Sequence, residues 1–215
     1  MQLLLIAKSP EPGRSKTRLT PPCTAEEAAS LAEAALVDTL SAMEATPARR
    51  RVIVLEGSPG PWLPPGFDIV QQRGGGLDVR LAGAFDDAGA PSLLIGMDTP
   101  QVTPALLSGA VDRLCRPEVD AVLGLASDGG WWAIGLRRPD PDVFLGVPMS
   151  TARTGELQLA RLRARRLRCH LLPQLVDVDH FEDAMTVAAG MAPSTFTERV
   201  AAISQSVDAR AADGA

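Results

Sequence analysis

The sequence predicts an α/β domain built on a mostly parallel β-sheet flanked by helices. Short apolar runs that stop at Gly, Pro or Asp alternate with longer amphipathic stretches, the pattern of strand–helix–strand units joined by right-handed crossovers. A length of 215 residues fits one domain. Nothing along the chain reads as an internal repeat, an interdomain linker or a coiled coil.

Residues 2–7 form a buried strand that ends at Ser9-Pro10, and residues 8–22, dense in Pro, Gly and cations, form a loop. Thr24-Ala25-Glu26-Glu27 is a capping box opening a helix whose apolar positions are Ala28, Leu31, Ala35, Leu36, Leu40 and Met43. Residues 51–55 are a second buried strand, 57–66 a Pro/Gly-rich loop, 68–72 a short strand, and Gly74-Gly75-Gly76 a flexible loop before a helix over 77–88. Residues 92–96 are a strand ending in Met97-Asp98-Thr99-Pro100. Thr103-Pro104, an N-cap followed by Pro at the first helical position, starts a helix running to 114. Strands over 121–125 and 132–136 flank Asp128-Gly129-Gly130, and 154–166 is helical. Residues 169–172 and 175–178 are short extended pieces, and 181–189 and 193–204 are helical. The domain therefore spans 1–204, with 205–215 expected as a frayed tail of small and polar residues.

Composition narrows the function. The chain is 46% hydrophobic and 22% charged, with net charge −5 and pI near 5.1, which argues against a general nucleic-acid binder. The longest apolar run, residues 3–7, falls far short of the ~20 residues that span a bilayer and is too short for a signal-peptide core. Cys23, Cys115 and Cys169 are odd in number and widely spaced, so reduced thiols in a cytoplasmic protein are expected. Of 21 basic side chains only Lys8 and Lys16 are lysines. That imbalance fits either an Arg-favouring codon usage or two sites that need a compact ammonium.

In an α/β sheet, ligands gather at the carboxyl ends of the strands. Three chemistry-bearing segments fall there. The first loop sets Lys8, Arg14, Lys16 and Arg18 between a strand and a helix, an arrangement suited to a polyphosphate, although the P-loop spacing is absent. Asp98 directly follows a buried strand, where a carboxylate either holds Mg²⁺ or makes a turn before Pro. Asp128-Gly129-Gly130 is a tight turn whose glycines permit close backbone approach to a ligand. Of the adjacent Trp131 and Trp132, one belongs in the core and the other is free to stack on a base or sugar. Asp177 and Asp179 share a face if extended, and a cation near Asp98 would relieve their repulsion. The arginine-rich run 161–168 reads as a solvated helix face, and His170 and His180 lack metal-ligand spacing.

Together, Ala7-Lys8-x-Pro10-x-Pro12-Gly13-x-x-Lys16-Thr17-Arg18-Leu19, Gly96-x-Asp98-x-Pro100, Asp128-Gly129-Gly130 and Asp177-x-Asp179 resemble the GT-A-like transferases found near radical-SAM/selenodomain proteins. These belong to the nucleotide-diphospho-sugar transferase superfamily. Lys16-Thr17-Arg18-Leu19 is also similar to guanylyltransferases of deazaflavin-cofactor biosynthesis, and Asp98 with Pro100 to the metal-binding step of those enzymes and of the molybdenum-cofactor guanylyltransferase. The resemblance implies a Rossmann-like GT-A domain, phosphate contacts from Lys8, Arg14, Lys16 and Arg18, and Mg²⁺ (or Mn²⁺) on Asp98, Asp177 and Asp179. Gly75, Gly76, Arg80, Gly129 and Gly130 complete the expected nucleotide site, and Lys16, Arg18, Asp98 and Asp128 the catalytic set. The chain departs from the family pattern at Trp131, where Tyr is usual, at Met149, where Trp is usual, and at Leu77-Asp78-Val79-Arg80 in place of Leu-Gly-x-Arg.

Two reactions follow. In nucleotidyl transfer an NTP reacts with a small phosphate, phosphonate or sugar-phosphate acceptor, and pyrophosphate leaves. In glycosyl transfer a nucleotide sugar reacts with a hydroxyl, and Asp128 is the evident general base. The basic loop favours the first, because a triphosphate carries more charge to neutralise. No nucleic acid and no membrane span is expected, and a homodimer stays open.

Overall fold

The computed structural model describes residues 1–213. The strands are β1 (Gln2–Lys8), β2 (Arg50–Glu56), β3 (Asp68–Gln71), β4 (Ser92–Gly96), β5 (Ala121–Ala126), β6 (Trp131–Leu136) and β7 (Cys169–Leu175). The helices are α1 (Ala25–Glu44), α2 (Leu77–Ala88), α3 (Pro104–Leu114), α4 (Thr154–Ala164), α5 (Phe181–Ala189) and α6 (Thr195–Asp213). All seven strands join one sheet in the order β3-β2-β1-β4-β6-β5-β7. Every pair is parallel except those made by β6, which runs antiparallel between β4 and β5.

The continuous apolar runs are explained by burial on both faces. Leu3, Leu5, Ile53 and Ile95 pack against Leu36, Leu40 and Met43 of α1 and Leu107 of α3. Leu4, Val52, Leu94 and Ile134 point the other way, onto Leu81 and Phe85 of α2 and Leu162 of α4. A third cluster joins the outer face of α1 to α5 and α6 through Leu31, Phe181, Phe196 and Ile203. The helix starts follow the sequence signals. Thr24 Oγ1 accepts from the Glu27 amide at 3.2 Å, and Glu27 Oε2 accepts from the Thr24 amide at 2.8 Å. Thr103 caps α3 with Pro104 in its first turn.

Three boundaries differ from expectation. The extended pieces at 169–172 and 175–178 become one strand, β7, that runs through Pro173, which an edge strand tolerates. Residues 176–179 leave the sheet. The Val178 amide donates to the Asp98 carbonyl at 3.0 Å, and Gln101 Nε2 donates to the Val176 carbonyl at 2.7 Å. The expected frayed tail from 205 is instead the second half of α6, because Arg210 donates to both Glu27 oxygens at 2.8 Å and Val207 packs on the third cluster. Residues 214 and 215 of that expectation lie outside the described residues. No helix among the described residues is long and apolar enough to cross a membrane.

The topology positions the site. From β1 the chain builds β2 and β3 to one side, then crosses to β4 on the other, so the carboxyl ends of β1 and β4 open a crevice at a switch point. Because β6 is antiparallel, its first residue, Trp131, arrives at that same edge beside the ends of β5 and β7.

Candidate active site

Four carboxylates converge on the crevice from three elements. Asp98 follows β4, Asp128 sits in the β5–β6 turn, and Asp177 and Asp179 follow β7. One ligand oxygen from each of Asp128, Asp177 and Asp179 lies within 4.8 Å of the others. Burial, then the charge of Asp98, push the Asp177 carboxyl up to about 7, with Lys16 opposing and Asp179 and Asp128 adding to the rise. The ligand set read from the sequence and the set that geometry brings closest differ in one member. Asp128 joins Asp177 and Asp179 in the closest set, while Asp98 pairs with Lys16, whose Nζ lies 2.7 Å from Oδ1.

Lys16 departs most from expectation. It adopts a left-handed backbone, φ 51°, at the start of a short 3₁₀ turn (Thr17–Leu19). Its side chain is only 11% exposed and also reaches Asp179 at 3.8 Å. Nζ donates to the Val178 carbonyl as well. Burial pulls its pKa down, but Asp98, Asp177 and Asp179 outweigh burial and leave it raised. The ammonium thus ties the first loop, the end of β4 and the segment after β7 together.

The other cations of the loop also begin with protein partners. Arg18 Nη1 lies 2.6 Å from Asp179, Arg14 Nη1 lies 2.9 Å from Glu11, and Lys8 Nζ lies 3.6 Å from Glu56. Arg80 pairs with Glu56 too, donates to Gln72 Oε1 at 3.1 Å and holds the Gly75 carbonyl at 2.9 Å. The exposed pairs of Arg14 and Lys8 are worth little and exchange readily for a ligand anion.

A cavity of about 500 Å³ runs from Gly75, Gly76 and Arg80 past Ala7 and Thr99 to Asp98, Asp128 and Asp177. It meets a second cavity of about 240 Å³ at Lys8, Met97 and Asp98, and that one is walled by Arg14, Lys16 and Arg18. A third, about 460 Å³, lies where Arg18, Ser150, Thr151 and Ala152 face the carboxylates.

Gly75, with φ 107°, and Gly76, which caps α2, border the main cavity as expected. Gly129 packs against backbone. Its φ is 90°, a side chain there would strike the Ala152 carbonyl, and its own carbonyl accepts from the Gly155 amide at 2.8 Å. The close approach is therefore backbone to backbone and seats the turn on the start of α4, while Gly130 does face the cavity. Trp132 is the core tryptophan, covering Gly124 and donating to the Pro173 carbonyl at 3.0 Å, and Trp131 lines the cavity.

Sequence reading missed several contributors. Asp128 was expected as a base rather than as a partner of Asp177 and Asp179. Thr99, 1% exposed, has a hydroxyl without a protein partner at the cavity wall. Ser150 and Thr151 sit beside the carboxylates, and Glu56 with Gln72 holds Arg80. No local pattern marks any of these.

The fold is that of nucleotide-diphospho-sugar transferases. A candidate nucleotide-diphospho-sugar transferase from Desulfovibrio desulfuricans is 29% identical, with a TM-score of 0.83 over 97% of this chain and 95% of that one. Rv0371c from Mycobacterium tuberculosis, solved in complex with manganese, shares the fold at 20% identity and a TM-score of 0.53, covering 86% of this chain and 96% of its own. The 2-C-methyl-D-erythritol 4-phosphate cytidylyltransferase of Thermus thermophilus shares it at 16% identity and a TM-score of 0.53, with coverage of 86% and 96%. No curated protein matches the sequence. The pattern of DUF2064, whose description is an uncharacterized protein conserved in bacteria, matches residues 27–151, more than half of the chain, and the protein therefore belongs to the DUF2064 family.

Proposed function

We propose that the protein is a metal-dependent nucleotidyltransferase of the cytoplasm, joining the nucleotidyl group of an NTP to a small phosphate, phosphonate or sugar-phosphate acceptor and releasing pyrophosphate. The observation that carries this reading is the junction of the main cavity with the cation-walled one at Lys8, Met97 and Asp98. A nucleoside fits the first, between the Gly75-Gly76 loop, Arg80 and Trp131, and a polyphosphate tail continues into the second.

The carboxylates fit a divalent cation. The donors are all oxygen, three lie within 4.8 Å of one another, and the Asp177 carboxyl, raised first by burial and then by the charge of Asp98, is a group whose ionised form a cation would favour. Asp128, Asp177 and Asp179 would hold Mg²⁺ or Mn²⁺, with Asp98 at the edge of the set. The ion would neutralise charge on the phosphates and orient them. The manganese of Rv0371c supports such a centre on this fold.

The protein's own groups then divide the work. The Gly75-Gly76 loop, fastened by Arg80, receives the nucleoside. Lys8 and Arg14 leave their glutamate partners for the leaving pyrophosphate, where negative charge grows. Lys16 keeps Asp98 and the Val178 carbonyl in register, and its charge stays in the wall facing the phosphates. An ionised acceptor, such as the phospholactate or phosphoenolpyruvate of the deazaflavin guanylyltransferases, needs no base.

Glycosyl transfer is the second reading, favoured by the likeness to the Desulfovibrio protein. It asks Asp128 to act as a base, whereas Asp128 shares its corner with Asp177 and Asp179. A thermal-shift screen of NTPs and nucleotide sugars, with and without Mg²⁺ or Mn²⁺, separates the two. A ligand at 100 times its Kd adds about 2.7 kcal/mol. Metal-dependent stabilisation by an NTP, with pyrophosphate release on adding acceptors, is the expected result. Stabilisation by nucleotide sugars alone would overturn it.

A further inference from the structure

Of the 21 basic side chains only two are lysines, and they stand in different surroundings. Lys8 is a surface lysine, its side chain 63% exposed and 3.6 Å from Glu56. Lys16 is 11% exposed and its left-handed backbone, φ 51°, turns it inward. Three oxygens surround its Nζ: Asp98 Oδ1 at 2.7 Å, the Val178 carbonyl, to which it donates, and Asp179 Oδ1 at 3.8 Å. Two carboxylates and a main-chain carbonyl are also the ligand types that a hard divalent cation takes.

The carboxylates are reached from two sides. Asp98 and Asp179 border both the cation-walled cavity and the cavity beyond the carboxylates. Lys16 borders the first of these, and Asp128 and Asp177 border the second. Asp179 belongs to both sets, the ammonium's and the Asp128–Asp177–Asp179 corner suited to a metal. That is the plan of a two-ion centre, in which divalent cations about 3.5–4 Å apart act on shared ligands. Here a tethered ammonium occupies one of the two positions. With all four carboxylates ionised, Lys16 and Arg18 leave two negative charges, which one divalent ion balances. A guanidinium would not fill the same place, since its charge is spread over a planar fork, whereas an ammonium is a compact point charge. This gives a physical reason for a lysine at position 16 in a chain that otherwise uses arginine.

We propose, resting on the metal centre of the function proposed above, that Lys16 is a built-in replacement for a second metal ion. The protein then binds one divalent cation, at Asp128, Asp177 and Asp179, and Asp98 is the partner of the ammonium and not of the ion. Lys16 is a positioning residue in this arrangement. It holds Asp98, Asp179 and the segment after β7 together, as a second ion would, but as part of the chain it cannot dissociate or be chelated. Removing it should turn a one-ion centre into a two-ion centre.

The test is the binding of Mn²⁺ alone to the nucleotide-free protein, counted from the free-ion signal in electron paramagnetic resonance. Wild type should bind one ion with the spectrum of an isolated Mn²⁺. Lys16→Ala should bind two, and a pair about 3.5–4 Å apart should show the spin coupling that a single ion cannot. Circular dichroism confirms folding. Two further variants test the ligand assignment should Lys16→Ala not fold. Asp98→Asn should keep the single ion within about tenfold of wild-type affinity, the effect of one nearby charge, whereas Asp128→Asn should abolish its binding. The proposal falls if folded Lys16→Ala binds one uncoupled ion, if wild type binds a coupled pair, or if Asp98→Asn abolishes binding. In each of those cases the metal centre itself stands. A wild type that binds no Mn²⁺ sinks the carboxylate metal centre, and the proposal with it.

Discussion

At Lys16 backbone and charge are constrained together. Its left-handed φ turns the side chain inward, and the buried ammonium reaches Asp98, Asp179 and the Val178 carbonyl. Lys16→Ala should lower kcat and kcat/KM with an NTP together, by roughly 10²–10³, as when one preorganised charge in the wall facing the phosphates is lost. It should also strengthen Mn²⁺ binding, because a positive charge leaves the neighbourhood of the carboxylates; about tenfold corresponds to ~1.4 kcal/mol. Steady-state kinetics with a metal titration checks both, and weaker Mn²⁺ binding would count against the ammonium acting on the carboxylates. Lys16→Arg should rescue only partly, since a planar fork replaces a point charge. Asp177 gives a second prediction. Its folded-state pKa of about 7 lies above its ordinary 3.8, so the fold favours the protonated form. The stability it contributes is full below 3.8 and is lost as pH rises through 7. Metal-free wild type should therefore lose melting temperature across that window relative to Asp177→Asn, while the variant binds Mn²⁺ at least tenfold more weakly. Parallel pH profiles of the two would sink the assignment.

Among elements, α6 and the β5–β6 turn carry the tests. The Arg210 guanidinium holds the Glu27 carboxyl down at about 2, so the pair's stabilisation is present above 4.5, the ordinary value, and is lost as pH falls through 2. Arg210→Ala should lower stability at pH 7 by ~0.2–1 kcal/mol, the range of a partly exposed ion pair. The difference from wild type should shrink as acid protonates Glu27. Calorimetry from pH 2 to 7 reads this directly, and an unchanged melting temperature at pH 7 would return the end of α6 to a dispensable tail. Gly129→Ala should cost ~2 kcal/mol or more, since it forces a side chain at positive φ into the Ala152 carbonyl. A thermal melt measures that cost. Elements were the most legible level of the sequence. Thr24 and Thr103 cap where their spacing predicts, and the apolar runs are strands buried on both faces. The misreadings sit where a distant partner decides: Pro173 is accommodated by the sheet edge, and residues 205–213 are held by α1.

For the whole molecule, the arginine-rich stretch bears on nucleic-acid binding. Arg165 pairs with Asp140 and Asp142, Arg168 pairs with Asp120, and Arg161 donates to the carbonyls of Asp142 and Leu145. These charges are spent within the protein. DNA titrations at physiological salt should show no sub-micromolar binding; such binding would contradict the small-molecule reading.

What the sequence determined by itself was whatever is local: strand and helix periodicity, caps, the alternation that demands a parallel sheet, and the placing of Lys8–Arg18, Asp98 and Asp128 after strands. Those signals need only a few neighbouring residues. Which carboxylates meet depends instead on strand order. Asp128 and Asp98 are thirty positions apart, and the antiparallel insertion of β6 brings the turn carrying Asp128 to the edge where β7 ends. The state of Lys16 depends on a segment more than 160 residues away, whose carbonyl and carboxylate draw the ammonium inward. A charge in the sequence specifies only that a partner is required; tertiary structure decides whether that partner is a ligand or the protein itself, because the cost of burying an ion is offset only by groups within a few ångströms.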